Sequence, residues 1–262
     1  MTRRREFLAG LAATAALAGF PRRARAIGTG SQLRIGELTF AGLPEPGTPR
    51  AAALARLGFE IETRTSVEVS RLGNPTQVVL HSPKLYDTPL LYLAGDRKFT
   101  MPAVRDMEAL RRFLTFGGFL FIDSAEGRAG GDFDASVRQL CADLYPPPAA
   151  QLAPLPEDHV VFKSFYLLTS VAGRVAVAKE LEAVTHDGRA AIIYSQNDLA
   201  GAWAKDDFGN AAYPCYPGGE RQRELALRLG INLVMYAMCL DYKTDQVHVP
   251  FILRRRKWKV EE

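Results

Sequence analysis

The residues of this sequence best placed for chemistry are acids that follow apolar runs. Leu90-Leu91-Tyr92-Leu93-Ala94 and Phe119-Leu120-Phe121-Ile122-Asp123 are short, continuous apolar stretches, the pattern of strands covered on both faces. Asp96 comes soon after the first, and Asp123 ends the second. Ligands of open parallel sheets bind beyond the carboxyl ends of the strands, and neighbouring strands lie about 5 Å apart. The two carboxylates are therefore expected within reach of one another. Such a pair can divide into a protonated and an ionised partner, or share a cation. Acids at these positions equally suit a structural task, capping the next helix or pinning a loop.

Three further groups join them. Ser124 follows Asp123 in Ile122-Asp123-Ser124-Ala125-Glu126-Gly127 and is a candidate nucleophile, with His159 as base and Asp158 or Asp198 as orienting acid. The glycine that precedes the serine in a nucleophile elbow is missing, which argues against this chemistry. Asp158-His159 sits between prolines, in Pro154-Leu155-Pro156-Glu157-Asp158-His159, where a histidine acts as base, ligand or pH-dependent contact, or simply holds the loop. Asn197, Asp198 and Trp203 follow the apolar run that ends at Tyr194, and amides, acids and an aromatic face together suit a sugar-like ligand. Asn and Asp also form turns at strand ends, and Trp fills cores. Gly127, Gly130 and Gly131 match no phosphate-binding fingerprint. Cys141, Cys215 and Cys239 lack metal spacing, as do His81, His186 and His248, so no metal is expected and no cofactor is named. In an oxidising compartment two of the cysteines have the option of pairing.

The elements that must position these groups are legible in outline. Leu33 to Phe40 reads as a first strand, and Thr48-Pro49 as the start of a helix with Leu54 and Leu57 on its apolar face. Val67–Val69 and Val78–Leu80 read as short strands around Gly73-Asn74-Pro75. Between the two apolar runs, Val104, Met107, Leu110 and Leu114 recur at helical spacing, with Thr100 as the expected cap and Gly117-Gly118 as the stop. Strand, helix, strand at this length is a parallel crossover unit. Asp132 is the expected cap of the next helix, whose face is Phe133, Val137, Leu140, Cys141 and Leu144. Residues 149–175 read as loop, Ala190–Tyr194 as a strand entered through Asp187-Gly188, 196–219 as a long loop, and 219–240 as a final helix. The sum is an α/β fold of three layers, a mostly parallel sheet with helices on both faces.

Composition narrows the class. Of 262 residues, 47% are apolar and 24% charged, as in a globular domain. Residues 1–26 read as a cleaved export leader: Arg4-Arg5-Glu6-Phe7-Leu8 resembles a twin-arginine motif, Leu8–Phe20 is weakly apolar, and Ala24-Arg25-Ala26 ends it. With six Arg and one Glu, this segment carries +5, so the formal +4 of the chain becomes −1 without it. The basic tail 254–262 adds +3, leaving about −4 on the body, 27–253. The basic isoelectric point thus belongs to the ends, and nucleic-acid binding is not supported. The tail offers a contact to anionic lipid or a solvated terminus. No later segment reads as membrane-spanning.

Four ordered segments carry a family resemblance: Leu90–Gly95, Arg111–Asp123, Leu155–Phe162 and Tyr194–Leu199. Over about residues 33–240 the chain resembles the bacterial domain-of-unknown-function family numbered 4159. The resemblance implies a fold similar to class I glutamine amidotransferases, or flavodoxin-like. It implies no activity, and the cysteine nucleophile of amidotransferases is absent at 122–127. Relatives are often joined to membrane-anchored envelope proteins. The expectation is an exported, periplasmic, non-catalytic domain that binds a partner protein of that kind or a carbohydrate-like ligand. The alternative is a hydrolase or metal-assisted enzyme using Asp96, Asp123 and His159.

Overall fold

The computed structural model describes residues 32–44, 50, 52–70, 76–149 and 151–256, from 239 onward as backbone only. The expected leader, the Thr48-Pro49 helix start, Gly73-Asn74-Pro75, the Cys239 side chain and the side chains of the tail lie outside the described residues.

The two apolar runs become the middle of the sheet. β3 (Leu90–Gly95) and β4 (Phe119–Ser124) are buried at every position, which only a sheet covered on both faces allows. Around them run β1 (Ile35–Thr39), β2 (Thr76–Val79), β5 (Ala153–Pro154), β6 (Glu182–His186) and β7 (Arg189–Ser195), in the order β2-β1-β3-β4-β7-β6-β5. The first five strands in that order are parallel. β6 and β5 complete one edge antiparallel. β6 was not foreseen as a strand, although the Asp187-Gly188 turn that feeds β7 was. Both turn residues have positive φ, 50° and 74°, the geometry that lets a two-residue hairpin follow strand twist.

Helices cover both faces. α1 (Ala52–Arg64), α4 (Leu199–Trp203) and α5 (Gly219–Arg256) pack with Ile35, Tyr92 and Phe121 on one side. α2 (Val104–Thr115) and α3 (Asp132–Leu144) pack with Leu38, Leu93 and Ile122 on the other. The division follows from strand alternation, since successive side chains point to opposite faces. It also separates Cys141 from Cys215, which lie buried in different layers as free thiols. The expected pairing is therefore not available to these two. α4 interrupts the stretch expected to be loop, and Trp203 at its end is held against α5 by Gly230, where a Cβ would stand 2.6 Å from the indole ring.

Two expected caps are corrected. α2 starts at Val104 with Ala103 before it, and Thr100 instead donates its backbone N–H to Gly42. Asp132 lies inside α3, and the first-turn N–H of Asp134 is taken by Glu126, whose carboxylate reaches back from the loop after β4 at 3.2 Å. An acid from outside the helix does the work of the cap residue. Val67–Val69 forms no full strand, only a single bridge from Val69 to Leu33.

Candidate functional site

Asp123 ends on the face covered by α1, α4 and α5, with 1% of its surface exposed. Its Oδ1 accepts the N–H of Leu199 at 3.0 Å, and its Oδ2 that of Ala200 at 2.9 Å. These are the first amides of α4, so the acid caps the short helix that follows β7. The Tyr92 hydroxyl, two positions back on β3, lies 3.4 Å from Oδ2. Burial first, and then the charge of nearby Asp198, push the Asp123 carboxyl up to about 8. The Ala200 and Leu199 amides pull the other way. The Tyr92 hydroxyl, which donates to Oδ2, pulls it down as well.

Asp198 is the centre of the arrangement. It is fully buried and occupies the left-handed region, φ 53° and ψ 63°, as the residue before α4. Its Oδ1 accepts the amide of Gly201 at 2.9 Å. The same carboxylate holds two guanidinium groups through their Nε atoms. Arg50 contacts Oδ1 at 2.7 Å and Oδ2 at 3.0 Å, and Arg174 contacts Oδ2. Arg50 is itself left-handed, φ 61°. Two non-glycine residues in this sparsely populated conformation, bonded to each other, store backbone strain where function commonly resides.

The arginines face outward. Their side chains are 14% and 22% exposed, against 0% for Asp198. Arg50 lies over the ring of Tyr213, 4.1 Å from its centroid, which holds the guanidinium plane in place. Arg174 spends Nε on Asp198, and its Nη nitrogens have no hydrogen-bond partner among the described residues. Gly127 lies beside this end, and a Cβ there would stand 3.4 Å from Nη2. A pair of oriented cations is thus presented at the carboxyl edge of the sheet, with its counter-charge beneath.

The remaining candidates divide. Asp96 is exposed and paired with Arg97 at 2.8 Å; that hydrogen bond, and to a lesser degree the charge of Arg50, keeps its carboxyl below the usual range. It follows the same edge of the sheet but stands in solvent, whereas Asp123 is buried. Ser124, one residue beyond Asp123, faces the α2–α3 layer, is wholly buried, and accepts the amide of Glu126 at 3.3 Å. Asn197 accepts the amides of Val177 and Ala178 at 2.9 and 2.8 Å and donates to the Ala178 carbonyl at 2.8 Å, pinning the loop that carries Arg174. Trp203 is 2% exposed and donates to the Ala226 carbonyl at 2.9 Å, so it is core.

His159 lies at the other end of the sheet. Its ring packs 5.3 Å from Tyr236, whose ring is 5.6 Å from Phe119 and whose hydroxyl accepts the amide of Ala190 at 2.9 Å. Phe119 and Ala190 open β4 and β7, four residues or about 13 Å from the Asp123 end. His159 Nδ1 accepts the amide of Val161 at 3.2 Å, and burial lowers its pKa. Asp158 is exposed beside it. Neither a Ser124–His159 pair nor a cluster of Asp96, Asp123 and His159 is formed. The sequence reading missed Arg50, Arg174 and Tyr92. No local signal marks either arginine, because each is set apart by an acid distant in the chain.

Residues 45–238 match the domain of unknown function DUF4159. The chain belongs to this family. The matched region begins just before Arg50 and includes the whole Arg50–Asp198–Arg174 arrangement. No curated protein matches this DUF4159 chain.

Proposed function

We propose that this DUF4159 domain is a non-catalytic recognition domain of the bacterial cell envelope, binding an anionic group of a ligand or partner through Arg50 and Arg174. The observation that carries the reading is the clamp on Asp198. A fully buried acid takes both arginines by Nε and leaves an oriented, partly exposed pair of cations at the strand ends. Guanidinium groups fixed in this way have already lost the side-chain freedom that binding would otherwise cost. The reading is non-catalytic because Asp123 is occupied in capping α4, and because Ser124 and His159 face different parts of the fold.

The wider setting belongs to the same proposal. The chain is exported to the periplasm by the twin-arginine route, its fold is of the glutamine amidotransferase type without the nucleophile, and its partner is a membrane-anchored envelope protein or a carbohydrate-like ligand. The leader motif in residues 1–26 and the negative body charge support this setting. The decisive experiment is calorimetric titration of the full chain with small carboxylates and inorganic phosphate, in parallel with Arg174→Gln. Saturable binding that the variant weakens at least tenfold supports the reading. Equal behaviour of the two proteins rejects it. Export is tested separately: Arg4→Lys with Arg5→Lys should leave the chain in the cytoplasm, and unchanged fractionation would discard the route.

A further inference from the structure

We infer that the anion recognised here is an acidic sugar, a pyranose that carries a carboxylate. The inference rests on the recognition reading of Arg50, Asp198 and Arg174, and adds the surface beside them. One short segment, 213–216, adjoins both arginines, through a ring at Arg50 and through backbone at Arg174. Arg50 is stacked on Tyr213, and the carbonyl of Arg174 accepts the backbone N–H of Tyr216 at 2.9 Å. Tyr213 is 37% exposed and Tyr216 75%, so both rings present surface to solvent.

The segment is fastened rather than loose. Arg223 donates to the Tyr213 carbonyl at 2.8 Å, and Gln222 donates to the Tyr216 carbonyl at 3.0 Å. Gln222 also donates to the carbonyl of Gly173 at 2.7 Å, tying the tyrosine segment to the loop that carries Arg174. The backbones that carry Tyr213, Tyr216 and Arg174 are thereby tied to one another before any ligand arrives, which lowers the ordering cost of binding.

The chemistry follows from what the two kinds of group prefer. A guanidinium fork takes a carboxylate by two parallel N–H···O bonds. An exposed tyrosine offers an apolar ring with a polar tip, a surface suited to the C–H face of a pyranose and to its hydroxyls. A bare inorganic anion would use the arginines and leave the rings idle. A nucleic acid calls for a broad basic field, whereas the body of this chain is net negative outside its two basic ends.

The test is calorimetric or NMR titration of the full chain with glucuronic acid and with N-acetylmuramic acid, which place the carboxylate on the ring or on a lactyl ether. Glucose, acetate and inorganic phosphate are titrated beside them. At least one acidic sugar should bind ten times more tightly than glucose and than acetate, and the better of the two identifies the kind of carboxylate. Arg174→Gln should weaken it tenfold or more. Tyr216→Ala should weaken it severalfold at unchanged melting temperature, with Tyr216→Phe restoring it. Acetate or phosphate binding as well as the sugars, through Arg174, would overturn the sugar inference while leaving anion recognition standing. Glucose binding equally well, or Tyr216→Ala having no effect on a bound acidic sugar, would also overturn it. Binding of none of these probes would remove both readings.

Discussion

The two ends of the sheet bury polar groups in opposite ways. At the amino ends of β4 and β7, Asn232 accepts the amide of Tyr166 at 2.8 Å and donates to the carbonyls of Val161 and Tyr166, each at 2.8 Å. Tyr236 accepts the amide of Ala190, and His159 caps its own turn. These bonds run inward, within the 159–166 loop and from that loop and β7 to α5. At the carboxyl ends, Asp123 and Asp198 also satisfy backbone amides, but Asp198 further holds two arginines whose outer nitrogens point away from it. The first end is closed by its own hydrogen bonds. The second carries charge it does not use up. A buried polar group therefore marks a function only when its partners reach the surface with capacity left over, a distinction residue type alone does not make.

Substitutions at the two ends should separate these roles. The largest loss of stability is expected from Asp198→Ala, which leaves two arginines without their counter-charge and the Gly201 amide of α4 without its side-chain acceptor. Breaking a buried pair from one side costs about 3–5 kcal/mol, read as a fall in the urea midpoint. Asn232→Ala should come next, at about 2–3 kcal/mol, because it strands backbone groups of Val161 and Tyr166. It should leave anion binding by the folded protein unchanged, and a loss of binding would blur the comparison between the ends.

Asp123 gives a pH test. Its carboxyl is raised in the fold relative to the ordinary 3.8, so the native state binds the proton more tightly than the unfolded chain. The stability linked to that proton is complete below about pH 4 and is lost as pH rises toward 8, at no more than about 1.4 kcal/mol per pH unit. Asp123→Asn removes that dependence, so the stability gap between wild type and variant should narrow from pH 5 to pH 8 in urea titrations. A gap that stays constant would show that the proton is not held there. Arg174→Gln should change stability least, by less than about 1 kcal/mol given the partial exposure of the side chain, while changing binding most.

Much of the scaffold was legible in the chain. Strands 90–94 and 119–123 are apolar at nearly every position, and the helix between them repeats apolar residues at helical spacing, so local pattern and tertiary burial agree. β6 escaped notice because Glu182-Ala183-Val184-Thr185-His186 is short and mixed in character, and its pairing with β7 is what makes it a strand. α4 escaped because five residues carry no periodicity. Among the candidate site residues, Asp123 and Asp198 do meet at one edge. Asp96 shares that edge facing outward, and His159 lies at the opposite end.

The physical reason lies in range. Apolar periodicity is written in neighbouring residues, so the sequence by itself determined the layers, most of the strands and the acids at their ends. An ion pair is defined by distance in space. Arg50 and Asp198 are 148 positions apart, and Arg174 and Asp198 are 24 apart across a loop pinned by Asn197. Only the tertiary structure chose two arginines from among the many in the chain and gave them a buried acid in common. It also set Ser124 and Asp123, adjacent in sequence, on opposite faces of the sheet, because successive side chains of a strand must alternate.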